Sequence, residues 1–116
     1  MSDNNEMNEV ESIDVRDALE SIPDSDIVNR LAETFRILSD PTRTRIIFAL
    51  SHHELCVYEL AELLGLTGSA VSHQLRLLRG QRLVKFRKKG KVALYTLDDE
   101  HITNLITEGV RHVTET

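Results

Sequence analysis

Two short helical patterns that lie almost end to end constrain the fold of this chain more than any other feature. The first spans Val57 to Leu64 and is followed by Gly65. The second is predicted from Gly68 to about Arg79, with Thr67 as its N-cap and Gly80 as its end. Consecutive helices joined by so short a turn, with a glycine in it, are typical of a helix-turn-helix.

A basic hairpin is predicted directly after this motif. Two apolar segments, Leu83–Phe86 and Val92–Leu97, bracket residues 87–91, a cationic tip with one glycine that suits a tight turn. A two-stranded hairpin in this position forms a wing. The sequence therefore predicts a mostly helical α+β fold, a winged helix-turn-helix.

Further helices are predicted on both sides of the motif. Apolar residues recur at helical spacing within 31–38, and Asp40-Pro41 then supplies an N-cap and a first residue for a helix that runs to about His52. A last helix should begin near residue 98 or 99. Its apolar stripe consists of Ile102, Leu105, Ile106, Val110 and Val113. A stripe this wide packs against another helix, so the added N- and C-terminal helices are expected to serve dimerisation.

Length and composition fit a single core. Of the 116 residues, 41% are hydrophobic but only five are aromatic, which favours aliphatic packing between helices. Residues 1–24 are polar and acidic and are expected to form a flexible arm, whereas residues 25–116 are expected to form one folded domain. The single cysteine excludes an intramolecular disulfide, and the acidic start has no apolar signal segment, so a cytoplasmic location without membrane contact is expected.

Charge is distributed unevenly along the chain. The formal net charge is -5, but residues 1–40 carry eleven acidic and three basic side chains, whereas residues 41–116 carry eight acidic and eleven basic ones. From Ser69 to Lys91 there are eight basic residues and no acidic one. A local field of this sign binds phosphates even when the whole protein is acidic.

The outer face of the second short helix is predicted to contact double-stranded DNA. Val71, Leu75 and Leu78 should face inward, which leaves short polar side chains near the helix N-terminus to approach base edges, while arginines reach phosphates. The predicted contacts are Ser69, Ser72, His73, Gln74 and Arg76 on the helix and Arg87, Lys88, Lys89 and Lys91 on the wing. An ordinary solvated face is the alternative, but the basic wing that follows favours DNA.

The last helix carries metal-type ligands in two separated pairs. Asp99-x-His101 stands near its start and His112-x-x-Glu115 near its end. At about 1.5 Å per residue the two histidines lie about 16 Å apart, whereas zinc holds its nitrogen and oxygen ligands at about 2.0 to 2.2 Å. An antiparallel second copy would bring the first pair of one chain to the second pair of the other. The pattern therefore predicts a homodimer with two shared metal sites.

The ligand types indicate which ion such a site would hold. Two imidazoles and two carboxylates suit tetrahedral Zn2+ and tolerate Co2+. Cd2+ is a further possible substitute, although this donor set matches thiophilic ions such as cadmium, lead or Cu(I) poorly. A helix N-terminus also favours acidic residues without any metal, and Glu108 lies on the same stripe and could compete with Glu115 as a ligand. Four protein ligands leave no position open for an activated water, so an enzyme is not expected.

The remaining cysteine and histidines suggest no second site. Residues 1–51 contain neither Cys nor His, so Cys56 has no thiolate or imidazole partners in the N-terminal arm. Cys56 is expected to be a small buried apolar residue. His52 and His53 fall in a connecting loop and are expected to be exposed.

Taken together, these motifs resemble the ArsR/SmtB family of bacterial metal-sensing repressors over about residues 27–116. The stretches SDPTRTRII, ELCVYELAELLGLTGSAVSHQLRLLR and LYTLDDEHI are similar to its zinc-responsive members in particular. The resemblance also implies DNA contacts from four residues of the second short helix: Ser69, Ser72, His73 and Gln74.

For the metal site, the resemblance implies zinc ligands Asp99 and His101 from one protomer with His112 and Glu115 from its partner. It also implies that the second ring nitrogen of metal-bound His112 donates to a backbone carbonyl at about Arg82, which would connect the site to the DNA-binding core.

The expected function is a metal-responsive repressor whose metal-free homodimer binds operator DNA and is released by zinc. One alternative is a repressor of the same fold that senses another metal or signal, with the C-terminal ligands vestigial. Another is a winged helix used only for protein contacts, which the basic stretch argues against. A strong salt dependence of DNA affinity would separate that alternative from the DNA-binding ones.

Overall fold

A computed structural model describes residues 14–115 of the chain. The chain divides into two compact units, one that ends at Glu33 and one that begins at Thr34. The first 13 residues of the predicted arm lie outside the described residues. Among the described helices, none is both long enough and apolar enough to cross a bilayer.

The first unit contains helix α1 (residues 14–21) and the beginning of helix α2 (Ser25–Leu38). Helix α1 lies within the acidic segment 1–24 that was expected to form a flexible arm. From residue 14 onward the large apolar side chains of this unit, among them Leu19, Ile27 and Leu31, are exposed.

The second unit contains the end of α2 and the predicted motifs in the predicted order. Its elements are α3 (Pro41–Leu50), α4 (Val57–Leu64), α5 (Gly68–Gly80), β1 (Val84–Lys89), β2 (Val92–Leu97) and α6 (Glu100–Thr114). The predicted cap of α3 is confirmed, since an Asp40 carboxylate oxygen accepts a hydrogen bond from the backbone N–H of Arg43 at 3.0 Å. Helix α3 ends at Leu50, two residues earlier than expected.

The core of this unit is aliphatic, as the composition predicted. It consists of Ile37, Ile46, Ile47, Leu50, Leu60, Val71, Leu75, Leu78, Leu83, Val84, Leu97 and Ile102. From α2 the buried side chain is Ile37, whereas Phe35, one residue of the stripe predicted there, is half exposed. Leu38, another residue of that stripe, is partly buried and packs against the core, so α2 contacts the core through Ile37 and Leu38.

Helix α5 ends at Gly80, as predicted. The residue in the left-handed region, however, is Arg82, with φ 56°. The Leu83 N–H donates to the Leu78 carbonyl at 2.9 Å, and the Arg82 N–H donates to the Arg79 carbonyl at 3.0 Å. This pair of bonds is the Schellman arrangement, in which the residue before the buried Leu83 must take a positive φ.

The hairpin is longer and tighter than predicted. Strands β1 and β2 pair antiparallel from Val84 with Leu97 to Lys89 with Val92, which leaves a two-residue turn at Gly90-Lys91. Gly90 has φ 65°, the left-handed conformation that such turns require. The cations at 87–89 therefore lie in a strand and not in a loop, so successive side chains point to opposite faces.

Candidate functional site

Burial and capping fix the outer face of α5. Val71, Leu75 and Leu78 are fully buried, as predicted, and the Thr67 hydroxyl accepts a hydrogen bond from the Ala70 N–H at 3.1 Å. Gly65, with φ 67°, closes α4 and permits the short turn between the helices. The predicted contact residues on the opposite face are exposed except for Gln74, which is half-buried: Ser69, Ser72, His73, Gln74 and Arg76.

Arg43 holds Gln74, a contact that the sequence did not reveal. The Arg43 Nη1 donates to Gln74 Oε1 at 3.5 Å, and its Nε donates to the Ile37 carbonyl at 2.7 Å. Arg43 therefore forms hydrogen bonds both to the end of α2 and to the middle of α5. No local pattern indicates a contact between side chains 31 positions apart.

The hairpin presents its cations on two faces. The Arg79 guanidinium lies 5.0 Å from the centre of the Phe86 ring, and Phe86 lies 5.4 Å from Tyr95, so this face of the hairpin is turned toward α5. Lys88 follows Phe86 by two positions and shares its face, whereas Arg87 and Lys89 point to the opposite one.

Arg87 is held by an acidic partner within the chain. Its Nε donates to Glu54 Oε2 and its Nη2 to Glu54 Oε1, both at 2.6 Å. The hydrogen bond from Arg87 holds the pKa of the Glu54 carboxyl below its usual value, and Glu54 raises the pKa of Arg87, so both groups are charged at neutral pH. One of the four predicted wing cations is therefore neutralised before any ligand binds.

The first ligand pair lies at the start of α6. Asp99 is the N-cap of this helix, and its Oδ1 accepts from the His101 N–H at 2.8 Å and from the Ile102 N–H at 3.3 Å. The His101 Nδ1 lies 3.3 Å from the same oxygen, and the imidazole is 92% exposed. An N-cap keeps lone pairs free on its second oxygen, so capping does not prevent Asp99 from binding a metal.

The second pair lies at the other end of α6. His112 is exposed in the last turn, and Glu115 is the C-cap residue, with extended backbone just outside the helix. Arg111 Nη1 contacts Glu108 at 2.8 Å and its Nε contacts Glu115 at 3.7 Å. The same arginine thus contacts both candidate carboxylate ligands, Glu115 and the competing Glu108.

One chain alone does not bring the two pairs together. Within residues 14–115, no three side chains of the types His, Cys, Asp and Glu are grouped closely enough to hold a metal ion. The donor chemistry still fits a divalent ion, because each end of α6 offers one imidazole and one carboxylate that are open to solvent. Nor does the His112 ring form a hydrogen bond to the Arg82 carbonyl within the described part of one chain.

An apolar groove runs along α6 between the two ligand pairs. It measures about 410 Å³, and its lining includes Phe35, Phe48, Leu105, Val110 and Val113. The space around Gly109 is open, since a Cβ there would meet no atom within 4 Å. The outer side of the predicted stripe on α6 is therefore uncovered in a single chain. Of that stripe, Ile102 is buried and Ile106 is partly buried against the core.

The remaining thiol and imidazoles lie where the chain turns. Cys56 was predicted to be buried, but it is only half-buried. It lies at the N-cap of α4, where the helix begins. Its N–H donates to Glu59 Oε1 at 2.9 Å, and this bond lowers the pKa of Glu59. His52 and His53 are exposed in the loop after α3, as expected.

Comparisons with known proteins agree on one group of regulators. Residues 40–85 match the family model described as bacterial regulatory protein, arsR family. A transcriptional repressor SmtB homolog of Synechocystis sp. is 45% identical over 101 residues, which cover 87% of this chain and 76% of that protein. A cadmium resistance transcriptional regulatory protein, the CadC homolog of Staphylococcus aureus, is 41% identical over 86 residues, 73% of this chain and 71% of that protein.

A solved structure extends the likeness to the fold. The HTH-type transcriptional regulator NmtR of Mycobacterium tuberculosis is 39% identical over 89 residues, 77% of this chain and 74% of that protein. The solution structure of apo-NmtR superimposes with a TM-score of 0.67, at 38% identity, over 79% of this chain and 77% of that chain. The winged helix-turn-helix predicted from the sequence is confirmed.

Proposed function

The chain belongs to the ArsR/SmtB family of bacterial transcriptional regulators, and from this premise we propose that it is a zinc-responsive repressor whose metal-free homodimer binds operator DNA. It is a metal-responsive transcriptional repressor and not an enzyme, because the proteins it matches are transcriptional regulators. The choice of zinc, the position of the metal sites and the dimer are the parts proposed here.

The DNA-binding part of the proposal is supported by the geometry of α5. Its inner residues are fully buried, so the polar outer face is held in one orientation and can enter a major groove. The exposed Lys88, Lys89 and Lys91 of the hairpin supply phosphate contacts beside it. A homodimer would place two such helices on the two halves of an inverted repeat.

The observation that carries the sensing part is the arrangement of α6. This helix leaves two half-sites exposed, one at each end, with an uncovered apolar groove between them. A second copy of α6 packed antiparallel on this groove would cover the apolar residues and pair each Asp99–His101 with the partner's second pair in one step. Zinc is the ion proposed, because the donors are imidazoles and carboxylates without a thiolate.

Metal binding at these positions would regulate DNA binding through the dimer. Each ion would join α6 of one protomer to α6 of the other, and thereby fix the relative orientation of the two protomers. The distance between the two α5 helices must match one turn of DNA for both to bind, so an orientation that changes this distance lowers the affinity. Zinc therefore acts as a negative effector.

The test is operator binding measured by fluorescence anisotropy with and without one equivalent of zinc per protomer. We expect zinc to weaken DNA binding by roughly 5- to 150-fold, the range of a coupling free energy of about 1 to 3 kcal/mol. Magnesium at the same concentration is the control and should have no effect, since it prefers an all-oxygen octahedron. DNA affinity that does not change with zinc would remove the sensing part of the proposal and leave the DNA-binding part intact.

A second prediction concerns how the metal site communicates with α5. We propose that the free ring nitrogen of metal-bound His112 donates to the backbone carbonyl of Arg82, the left-handed residue that follows α5. His112→Gln should then reduce the zinc response of DNA binding more than it reduces zinc affinity, with affinity measured by competition against a chromogenic chelator. If that variant still binds zinc and releases DNA as the wild type does, this route is wrong.

One observation favours a second candidate, a repressor of the same fold that senses a different signal. Asp99 has a structural role as the N-cap of α6, which would account for its presence without a metal. In that case zinc would bind weakly and leave DNA affinity unchanged, so the same titration separates the two candidates.

A further inference from the structure

The ion pair between Glu54 and Arg87 is the strongest polar contact of the hairpin that the proposed function does not use. Two parallel hydrogen bonds of 2.6 Å join a carboxylate in the loop after α3 to a guanidinium on β1. Such a fork is the geometry in which arginine binds a phosphate as well as a carboxylate. Glu54 therefore occupies the position that a DNA phosphate could take on this side chain.

The loop that carries Glu54 is held firmly against the hairpin. Leu55, the next residue, pairs with Tyr95 of β2 through two backbone hydrogen bonds, of 3.1 Å and 2.8 Å. The carboxylate is consequently presented to the hairpin by backbone contacts that do not depend on Arg87. This makes the ion pair a persistent feature and not a chance encounter of two long side chains.

The hairpin does not need the ion pair for its own structure. Its strands are joined along all six residue pairs, and Phe86 and Tyr95 pack against each other on the face toward α5. The side chains of Arg87 and Glu54 remain 60% and 31% exposed, so solvent screens the pair and the fold of the hairpin does not depend on it. The main consequence of the pair is therefore electrostatic.

We propose that Glu54 is an internal competitor for DNA phosphate, which keeps Arg87 neutralised and sets the affinity of the repressor for DNA below what its wing could reach. This inference rests on the proposed DNA-binding function. An arginine whose charge is compensated within the protein releases no counterion from DNA when it approaches a phosphate. Part of the guanidinium edge stays open, but a phosphate bound there would lie close to the Glu54 carboxylate and be repelled by it.

The neighbouring cations keep Glu54 ionised, and its charge determines whether Arg87 is available to a DNA phosphate. Lys89 lies on the same face as Arg87 and also lowers the pKa of Glu54, so the carboxylate is surrounded by cations and stays ionised. Lys88, on the other face, has no acidic partner in the described residues and is free to contact DNA. Limited affinity suits a regulator that must leave its operator when the signal arrives, because the signal then has less binding free energy to overcome.

The experiment measures metal-free DNA affinity at several salt concentrations for the wild type and for Glu54→Gln, which keeps the shape of the side chain and removes its charge. We expect the variant to bind roughly three- to tenfold more tightly near 50 mM salt, with a log–log salt slope steeper by about 0.9, the value for one added phosphate contact. The gain should shrink by about 3.5-fold between 50 and 200 mM salt.

Two further variants show whether the effect passes through Arg87. Arg87→Gln should change the affinity less than twofold in the wild-type background but remove the whole gain in the Glu54→Gln background. Glu100→Gln is the matched control. Glu100 lines the same open cavity as Glu54 and is exposed, but it forms no ion pair within residues 14–115. Its loss of one negative charge should leave the salt slope unchanged.

The outcomes separate this inference from the function on which it rests. A wild type that fails to bind DNA with salt-dependent affinity would contradict the proposed function, and this inference with it. If the wild type binds but Glu54→Gln binds equally or more weakly with the same slope, only the competitor role is overturned, and the pair instead holds the wing in its binding conformation. Thermal unfolding of each variant shows that the compared proteins are equally folded.

Discussion

Zinc is expected to leave the DNA affinity of a His101→Ala homodimer and of a His112→Ala homodimer nearly unchanged, and to release DNA from mixed dimers of the two. Each homodimer lacks one imidazole in both shared sites. In a mixed dimer one site loses both histidines, whereas the other joins the intact Asp99–His101 of one protomer to the intact His112–Glu115 of its partner. One complete site is therefore restored, without any wild-type chain present.

The measurement uses the two variants unfolded together, refolded and titrated with zinc in the presence of labelled operator. Random pairing gives about half mixed dimers, so about half of the bound DNA should become zinc-sensitive. Each homodimer refolded alone is the control. Each homodimer should lose the full zinc response of the wild type, which is roughly 5- to 150-fold in DNA affinity. A mixture as unresponsive as its components would contradict sites shared between protomers, since helix length excludes a site within one α6.

The elements of the fold were predictable because their signals are local. Thr67, Gly65 and Asp40 act within three or four residues of their position in sequence, and all three have the predicted capping or turn role. Gly80 is the last residue of α5, as predicted, but the left-handed residue that follows was not predictable from the glycine rule. There the burial of Leu83 decides where the chain turns, and it places the positive φ on Arg82, two residues beyond Gly80.

The candidate site was less predictable because its side chains meet partners that are distant in sequence. Arg87 was expected at a hairpin tip and open to DNA, but it lies in a strand and pairs with Glu54, 33 positions earlier. Gln74 was expected on an open face, but Arg43 reaches it from α3. Residue type and spacing identified the chemistry of these side chains, and only the folded chain shows which charges are already compensated.

The exposed half-sites of α6 illustrate the same limit. The spacing of the two ligand pairs excluded a site within one helix, a conclusion that needs only the rise per residue. The groove between them, with Phe35 and Phe48 among its lining residues, could not be read from α6 alone, because α2 and α3 form its other wall. The proposal of a dimer thus combines a pattern in the sequence with a surface that appears only in the fold.

Leu75→Ala is expected to be strongly destabilising, as are changes at the other buried leucines of the DNA-binding motif. Leu75 is 1% exposed in the middle of α5, and truncating a buried leucine to alanine lowers the free energy of unfolding by about 2 to 5 kcal/mol. A chain of this size has a total stability of about 5 to 15 kcal/mol, so a large share would be lost. Urea denaturation at a fixed protein concentration measures the change as a lower midpoint with a similar slope.

The matched control is Leu63→Ala, the same substitution on α4, the other helix of the motif. Leu63 is 62% exposed, so its truncation should change the free energy of unfolding by no more than about 0.5 kcal/mol. A small effect at Leu75 would mean that α5 is not anchored in the core and that its outer face has no fixed orientation. Major-groove recognition by Ser69, Ser72 and His73 depends on that orientation, so such a result would also remove the geometric basis for these contacts. A large effect at Leu63 would instead show that this surface is covered, which a second copy of the chain could do.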